Sequence, residues 1–442
     1  MSQSQGFWIY SDVVPGRFKE VFVYDLVTTR RYNYQNIEKR KRSGDLKDKE
    51  KTGTLKIAEA PVSAYEEFSG SKEISSESSD VINIYNEHLE SSKNSGPCEV
   101  PAFYSKQEIK LKKFISLLNQ SQVDFEKLRE LCWSGIPSSF RAKCWMLLSG
   151  YLPSKDSRRE ETLLRKREEY KNYVKKYFST YKQSKENEAI YHQIKIDIPR
   201  TDPEVPLFQQ VKVQEIYLRI LYVWAIRHPA TGYVQGINDL LTPFFYVFLS
   251  EEVADEDIYY RDLSLLDDEI LFTIEADCYW CLSKLLGRIH DNYTISQPGI
   301  QRKINKLFAL IKVVDESLHQ HLERFGVDYL DFSFRWMNCL LIRELPFPCV
   351  ARMFDTYLAE TENFIELHLY ICGAFLVRWS NEIKKETDFH NIITLLQNLK
   401  PRTARWSESE MELLLAQAYV WKSLYQKSHL QNSWPEISFN KI

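Results

Sequence analysis

The sequence predicts an all-α fold, and three observations carry that prediction. Apolar residues recur at helical spacing from about Gln107 onward. No apolar–polar alternation persists beyond a few residues in that region. Glycine and proline are scarce, 14 and 16 in 442 residues, which argues against a turn-rich β architecture. With 44% apolar and 14% aromatic residues, a chain of this length buries a sizeable core. Nine of the ten tryptophans lie at or after Trp133, so that core is expected in the later part of the chain.

Residues 1–104 read as a largely disordered N-terminal region. They hold the charge runs Glu38–Arg42 and Lys47–Lys51 and a Ser/Glu stretch from Ser69 to Asp80, which bury too little to offset chain entropy. Residues 7–25 are more apolar and form a candidate docking segment. The basic cluster Lys39–Arg42 reads as a solvated linker, because acidic residues follow at once; an anionic-lipid patch is the alternative. The folded domain is placed at 105–430, with a tail at 431–442.

Within the domain, Leu111, Phe114, Leu117 and Leu118 open a helical pattern that Leu128, Leu131 and Cys132 continue. Gly135-Ile136-Pro137 breaks it. Ser138 and Ser139 are candidate caps for a helix through Leu148. A charged helix is expected over 157–186. Further helices are expected at 207–228, 237–250, 273–290, 301–314, 316–325, 327–343, 348–358, 364–383, 387–399 and 408–426. The 301–314 stripe of Ile300, Ile304, Leu307, Ile311 and Val314 is the clearest. Residues 251–269, with nine acidic groups and Arg261 as the one basic residue, read as a solvated insertion. Residues 189–206 carry three prolines and alternating isoleucines, and are expected to be extended, with no helix. A long irregular segment in a helical domain is usually functional.

A net charge of −3 without a dominant basic face makes nucleic acid a poor partner. The longest apolar stretch, Leu240–Leu249, contains Thr242 and Pro243 and falls far short of the ~20 residues that cross a bilayer. The N-terminus lacks a secretory core, and the eight cysteines show no disulfide framework. A soluble, cytoplasmic protein with no transmembrane segment is expected. Cys278-Tyr-Trp-Cys281 is a lone pair that reads as core packing, because zinc needs about four ligands. His319 and His321, two apart on a helix, point away from each other, so no metal site is expected. Neither a phosphate-binding glycine loop nor a nucleophile elbow is present.

Two segments remain. In Ile194-Lys195-Ile196-Asp197-Ile198-Pro199-Arg200-Thr201, Pro199 disfavours helix at Ile198 and holds Arg200 on a stiff strut, with Asp197 as its charged partner. In Gly232-Tyr233-Val234-Gln235-Gly236-Ile237-Asn238-Asp239, two glycines bracket a turn exposing Gln235, and Asn238 and Asp239 are candidate caps of the next helix. An aimed arginine and an aimed glutamine suit phosphoryl-transfer help given in trans. By spacing alone, a salt-bridged surface arginine and a structural glutamine account for these segments at least as well.

Ile194-x-x-Asp197-x-x-Arg200 and Tyr233-x-Gln235 resemble the two signature motifs of TBC domains, the GTPase-activating proteins for Rab small GTPases. Arg141-x-x-x-Trp145 after Gly135-Ile136-Pro137 resembles a third motif, as does Phe334-Arg335-Trp336 with Arg343-Glu344-Leu345-Pro346. Trp133-Ser-Gly-Ile-Pro, Leu148-Ser-Gly-Tyr-Leu-Pro, Trp224-Ala-Ile-Arg-His-Pro-Ala and Asp291-Asn-Tyr-Thr are most similar to the member-twenty-two group of that family and to the yeast Ypt-GTPase activators. The resemblance runs over roughly 108–428. It departs at Phe354-Asp355, where the family usually has Trp-Asp, and modest repacking is expected there.

The resemblance implies that Arg200 is an arginine finger reaching the phosphates of GTP. Gln235 is then a glutamine finger replacing the Rab's own glutamine. Asp197, Thr201 and Tyr233 support them, with Asn238 and Asp239 at the helix start. Arg141 matches a motif that braces the catalytic face, either as a structural salt bridge or as a substrate contact, and Arg335 and Trp336 are structural. The chain is then an enzyme activator rather than an enzyme, with no cofactor of its own, since GTP and magnesium belong to the Rab. The implied partner is a GTP-bound Rab, with peripheral recruitment to Golgi or endosomal membranes in vesicle traffic. The competing classes are a Rab-binding or scaffolding protein that does not accelerate hydrolysis, and a purely structural helical array.

Overall fold

In the computed structural model, the described residues are 7–10, 18–21, 106–178, 184–253, 258–294, 297–361 and 364–426. Near the N-terminus, strands β1 (Phe7–Tyr10) and β2 (Phe18–Val21) pair with each other. The remainder of the expected N-terminal region, including its basic cluster, lies outside the described residues, as does the 431–442 tail.

From Lys106 on, the described residues are helical. The order is α1 (Lys106–Leu118), α2 (Phe125–Trp133), α3 (Ser138–Leu148), α4 (Arg159–Tyr177), α5 (Lys185–Asp197), α6 (Pro206–Gln209), α7 (Val211–Arg227), α8 (Ile237–Glu252) and α9 (Asp268–Arg288). It continues with α10 (Pro298–Val314), α11 (Glu316–Arg324), α12 (Tyr329–Asn338), α13 (Phe347–Ala359), α14 (Phe364–Arg378), α15 (Ser380–Ile383), α16 (Phe389–Gln397), α17 (Lys400–Thr403) and α18 (Glu408–Tyr425). The all-α expectation holds for this region. On α10, Ile300, Ile304, Leu307 and Ile311 are buried, as the stripe requires.

α8 is buried almost throughout and packs on α9, α13 and α3, while α5 packs on α7. Pro243 inside α8 has no N–H for the Asp239 carbonyl, and Thr242 Oγ1 donates to that carbonyl at 2.7 Å. Phe354 is buried with ring centroids 5.8 Å from Trp145 and 6.1 Å from Phe244, so the departure from the family's tryptophan is filled by aromatic packing.

Several expectations are corrected. The segment 189–206 is helical through Asp197 and then makes a 3-10 turn at Ile198–Arg200. The alternating isoleucines misled, since Ile194 and Ile198 are buried as an i, i+4 pair while Ile196 is exposed. Pro199 sits in the first positions of the 3-10 turn, where its missing N–H costs nothing. The single helical pattern from Gln107 to Cys132 is two helices, α2 starting from Asp124, whose carboxylate accepts the N–H of Glu126 and Lys127. The 207–228 helix breaks at Gln210, whose side chain leaves to bridge the Arg261 carbonyl (2.6 Å) and the Leu263 N–H (2.9 Å). That bridge also anchors the acidic 251–269 segment, where Ile258 and Leu263 are buried, so it is not simply a solvated insertion. Ser138 begins α3 without a side-chain cap, with Pro137 at the N-cap position. The 327–343 helix stops at Asn338, because Leu340 and Leu341 turn left-handed at φ 50° and 59°.

Candidate functional site

The two segments singled out by sequence meet at one buried carboxylate. Asp197 ends α5 and is almost fully buried. Its Oδ1 accepts from Gln235 Nε2 at 3.1 Å and lies 3.7 Å from Arg200 Nη1. Its Oδ2 accepts from Gln193 Nε2 at 3.1 Å. The Tyr233 hydroxyl stands 3.3 Å from both Asp197 Oδ2 and Asn238 Oδ1, its one proton shared between them. Burial pushes the Asp197 carboxyl up, against the donors from Gln193 and Gln235 and the Arg200 charge. The Tyr233 hydroxyl is pushed well up by burial and by the Asp197 and Asp239 charges, so it stays a donor.

Arg200 closes the 3-10 turn, and its side chain is 44% exposed. The turn is fixed on its far side, where buried Thr201 Oγ1 accepts from Asn238 Nδ2 at 2.9 Å and the Thr201 carbonyl accepts from Gln209 Nε2 at 3.3 Å. Gln235 sits half-buried one residue before Gly236, the residue that caps α8 with φ 101°. Asn238 Oδ1 accepts the Gly236 N–H at 3.1 Å. The arginine and glutamine segments are thus tied at two levels, Asp197–Gln235 near the surface and Thr201–Asn238 beneath.

Asn238 and Asp239 are not caps. They occupy the first turn of α8, which has no side-chain cap, and both are buried. Asp239 Oδ2 instead accepts from Arg343 Nε at 2.9 Å and from the Cys339 thiol at 3.3 Å. Burial works against the Arg343 charge, and the Asp239 carboxylate outweighs it, so the guanidinium is held more firmly charged. Arg141 lies in a different cluster. Its guanidinium meets Asp355 at 3.2 Å and Glu408 at 3.0 Å, the salt-bridge arrangement of the two roles expected for it. Arg335 likewise pairs with buried Glu344 and the Gln397 carbonyl, and Trp336 is fully buried.

Sequence reasoning missed Gln193, Asn338 and the bonds of Cys339 and Arg343 to Asp239. Asn338 Nδ2 donates to the Gln235 main-chain carbonyl at 3.0 Å. The i, i+4 spacing of Gln193 and Asp197 is a helix signal, hidden once the segment is read as extended. No local pattern links Asn338 to a turn a hundred residues earlier. Among the described residues no group of three or more His, Cys, Asp or Glu side chains is placed to hold a metal. Cys278 and Cys281 are fully buried in α9. His319 contacts the Tyr329 hydroxyl, and His321 the Glu386 carbonyl.

The Rab-GTPase-TBC domain model matches residues 138–384 of this chain, more than half of its length. The chain belongs to the Rab-GTPase-TBC family. It is 50% identical to TBC1 domain family member 22B of Homo sapiens over 325 residues, covering 74% of this chain and 64% of that protein. It is 51% identical to GTPase-activating protein gyp1 of Schizosaccharomyces pombe over 318 residues, covering 72% of this chain and 61% of that protein. It thus spans a little under two thirds of the length of these relatives. The crystal structure of the Ypt/Rab-GAP domain of Gyp1p superposes with a TM-score of 0.68 at 46% identity, covering 72% of this chain and 98% of that one. The TBC domain therefore contains the whole Asp197 network. Among the described residues no helix is long and apolar enough to cross a membrane.

The turn at Gly236 gives a prediction on this site. At φ 101° an L side chain is strained, and a Cβ there falls on the Asn338 amide nitrogen. Gly236→Ala is expected to cost about 1–3 kcal/mol and to shift Gln235. Denaturant unfolding checks it, and an unchanged midpoint would show that the turn relaxes freely.

Proposed function

We propose that this chain is a GTPase-activating protein for Rab-family GTPases that supplies Arg200 and Gln235 in trans. The observation that carries the proposal is their convergence on one oxygen of Asp197, 3.7 Å from Arg200 Nη1 and 3.1 Å from Gln235 Nε2. Two residues from separate segments are held side by side at the protein surface. The arginine contact is long and partly exposed, and such pairs contribute about 0–1 kcal/mol. Exchanging this Asp197 contact for a phosphate oxygen therefore costs little.

A Rab in its GTP-bound state brings the nucleotide and its magnesium ion. Arg200 then places a planar, bidentate charge against the transferring phosphoryl group as negative charge spreads over its oxygens. Gln235 donates and accepts through one amide, which suits it to orient the attacking water. This chain needs no cofactor of its own and acts as an activator of the Rab's reaction. Rab proteins work on membranes, so the proposal places the chain in the cytoplasm with peripheral action at Golgi or endosomal membranes, in vesicle traffic.

The test is single-turnover GTP hydrolysis by a panel of purified, GTP-loaded Rab proteins. With the right Rab, a gain of about 10³–10⁵ over the unassisted rate is expected. A folded protein that accelerates none of them overturns the proposal.

A second expected result concerns the domain boundary. A chain beginning at residue 105 should fold and keep the full rate, because the matched domain and the Asp197 network all lie beyond it. A folded but inactive truncation would place part of the Rab contact in residues 1–104.

A further inference from the structure

We propose that Asn338 is a positioning residue for Gln235, gripping the backbone of the glutamine turn rather than the glutamine side chain. The proposal rests on the reading of Gln235 as the group that orients water.

Gln235 is held at both ends by different elements. Its amide donates to Asp197 at the end of α5, and its carbonyl accepts from Asn338 at the end of α12. To act on a nucleotide the amide must leave Asp197, which frees that end. The Asn338 bond touches no atom that has to move. It is then the restraint that decides where the released amide lands, and small misplacement of a reacting group is costly.

Asn338 is built for that grip. Its Nδ2 must face the Gln235 carbonyl, since the flipped amide would set two acceptors together. Its Oδ1 is buried and has no partner among the described residues, so the amide is kept here for its donor end. Its own carbonyl accepts from the buried Tyr293 hydroxyl at 2.7 Å. Immediately after it come Leu340 and Leu341, both fully buried with positive φ. Two successive leucines in the left-handed region persist only where the surroundings over-determine them. Cys339 before this reversal and Arg343 after it both bond Asp239, so one corner holds both sides of Gly236.

The experiment compares Asn338→Ala and the near-isosteric Asn338→Asp, which sets a carboxylate against the Gln235 carbonyl. Single-turnover hydrolysis is measured with the Rab that the wild type accelerates, alongside affinity for that Rab loaded with a non-hydrolysable GTP analogue. Both variants are expected to lose about tenfold or more in rate at saturation, with affinity within about twofold. In a Gln235→Ala background the further loss should be less than about twofold, while in an Arg200→Ala background, where Gln235 is still present, a larger loss should remain. A merely structural role would lower the rate equally in all backgrounds. Equal losses, or a wild-type rate in a folded Asn338 variant while Gln235→Ala is slow, overturn the positioning role alone. A Gln235→Ala protein as fast as wild type overturns the reading of Gln235 and the positioning role with it. If Asn338→Ala does not fold, Asn338→Asp decides.

Discussion

Arg200→Lys is expected to lower the single-turnover rate of Rab GTP hydrolysis by on the order of 10²-fold or more, while Rab binding is retained. Lysine keeps the charge and loses the planar fork that, in the proposed reaction, spans two phosphate oxygens. The positive charge that faces Asp197 is kept. The arginine side chain is 44% exposed and its 3.7 Å contact with Asp197 is loose. Asp197 keeps its donors from Gln193, Tyr233 and Gln235. Thermal melts run alongside should therefore agree with wild type, which separates a lost transition-state contact from a damaged fold. Gln235→Ala should lose a similar order. In the proposed reaction the two side chains act on one transition state, so the double variant should cost less than the sum of the singles. A folded Arg200→Lys protein keeping more than about a third of the rate, under ~1 kcal/mol in barrier terms, would remove Arg200 from the reaction.

The helical class and most helix positions are legible in the sequence because an amphipathic stripe is a local signal, as Ile300, Ile304, Leu307 and Ile311 illustrate. Helix ends are less legible, since they depend on distant partners. The break at Gln210 exists because its side chain bonds Arg261 and Leu263. The stop at Asn338 depends on two left-handed leucines that no propensity favours. At the site, the motif residues Asp197, Arg200, Thr201, Tyr233, Gln235 and Asn238 do meet in one network. The 189–206 segment is helical where its pattern suggests an extended chain, because alternate isoleucines and i, i+4 isoleucines are the same letters when Ile194, Ile196 and Ile198 run together. Burial of the first and third alone decides between them. Asn238 and Asp239 have capping side chains, yet tertiary partners claim both, Thr201 and Tyr233 for one and Arg343 for the other.

Asp355→Ala is expected to destabilise the domain by about 3–5 kcal/mol, the usual cost of breaking a buried ion pair from one side. The Asp355 side chain is fully buried in α13 and collects donors from three places. Ile136 N–H donates at 2.9 Å, Trp145 Nε1 at 2.8 Å and Arg141 Nε at 3.2 Å. Together they pin the start of α3 and the turn before it to α13. Alanine strands an indole N–H and a backbone N–H in the core and leaves Arg141 with the half-exposed Glu408. The carboxylate itself is not comfortable. Burial pushes its pKa up from 3.8 to about 6, against the Arg141 charge and the N–H donors of Ile136 and Trp145. The folded state therefore holds this proton more tightly than the unfolded chain. The contribution of this group is fully present below pH 3.8 and is lost as pH rises through about 6. Asp355→Asn cannot titrate, so wild type should lose stability relative to it across that window, with the difference level above it. Denaturant unfolding of the three proteins between pH 4 and 7 measures both effects. An alanine variant within about 1 kcal/mol of wild type would show that the core rearranges to satisfy the stranded donors. Parallel pH profiles for wild type and Asp355→Asn would show that burial does not raise this carboxyl.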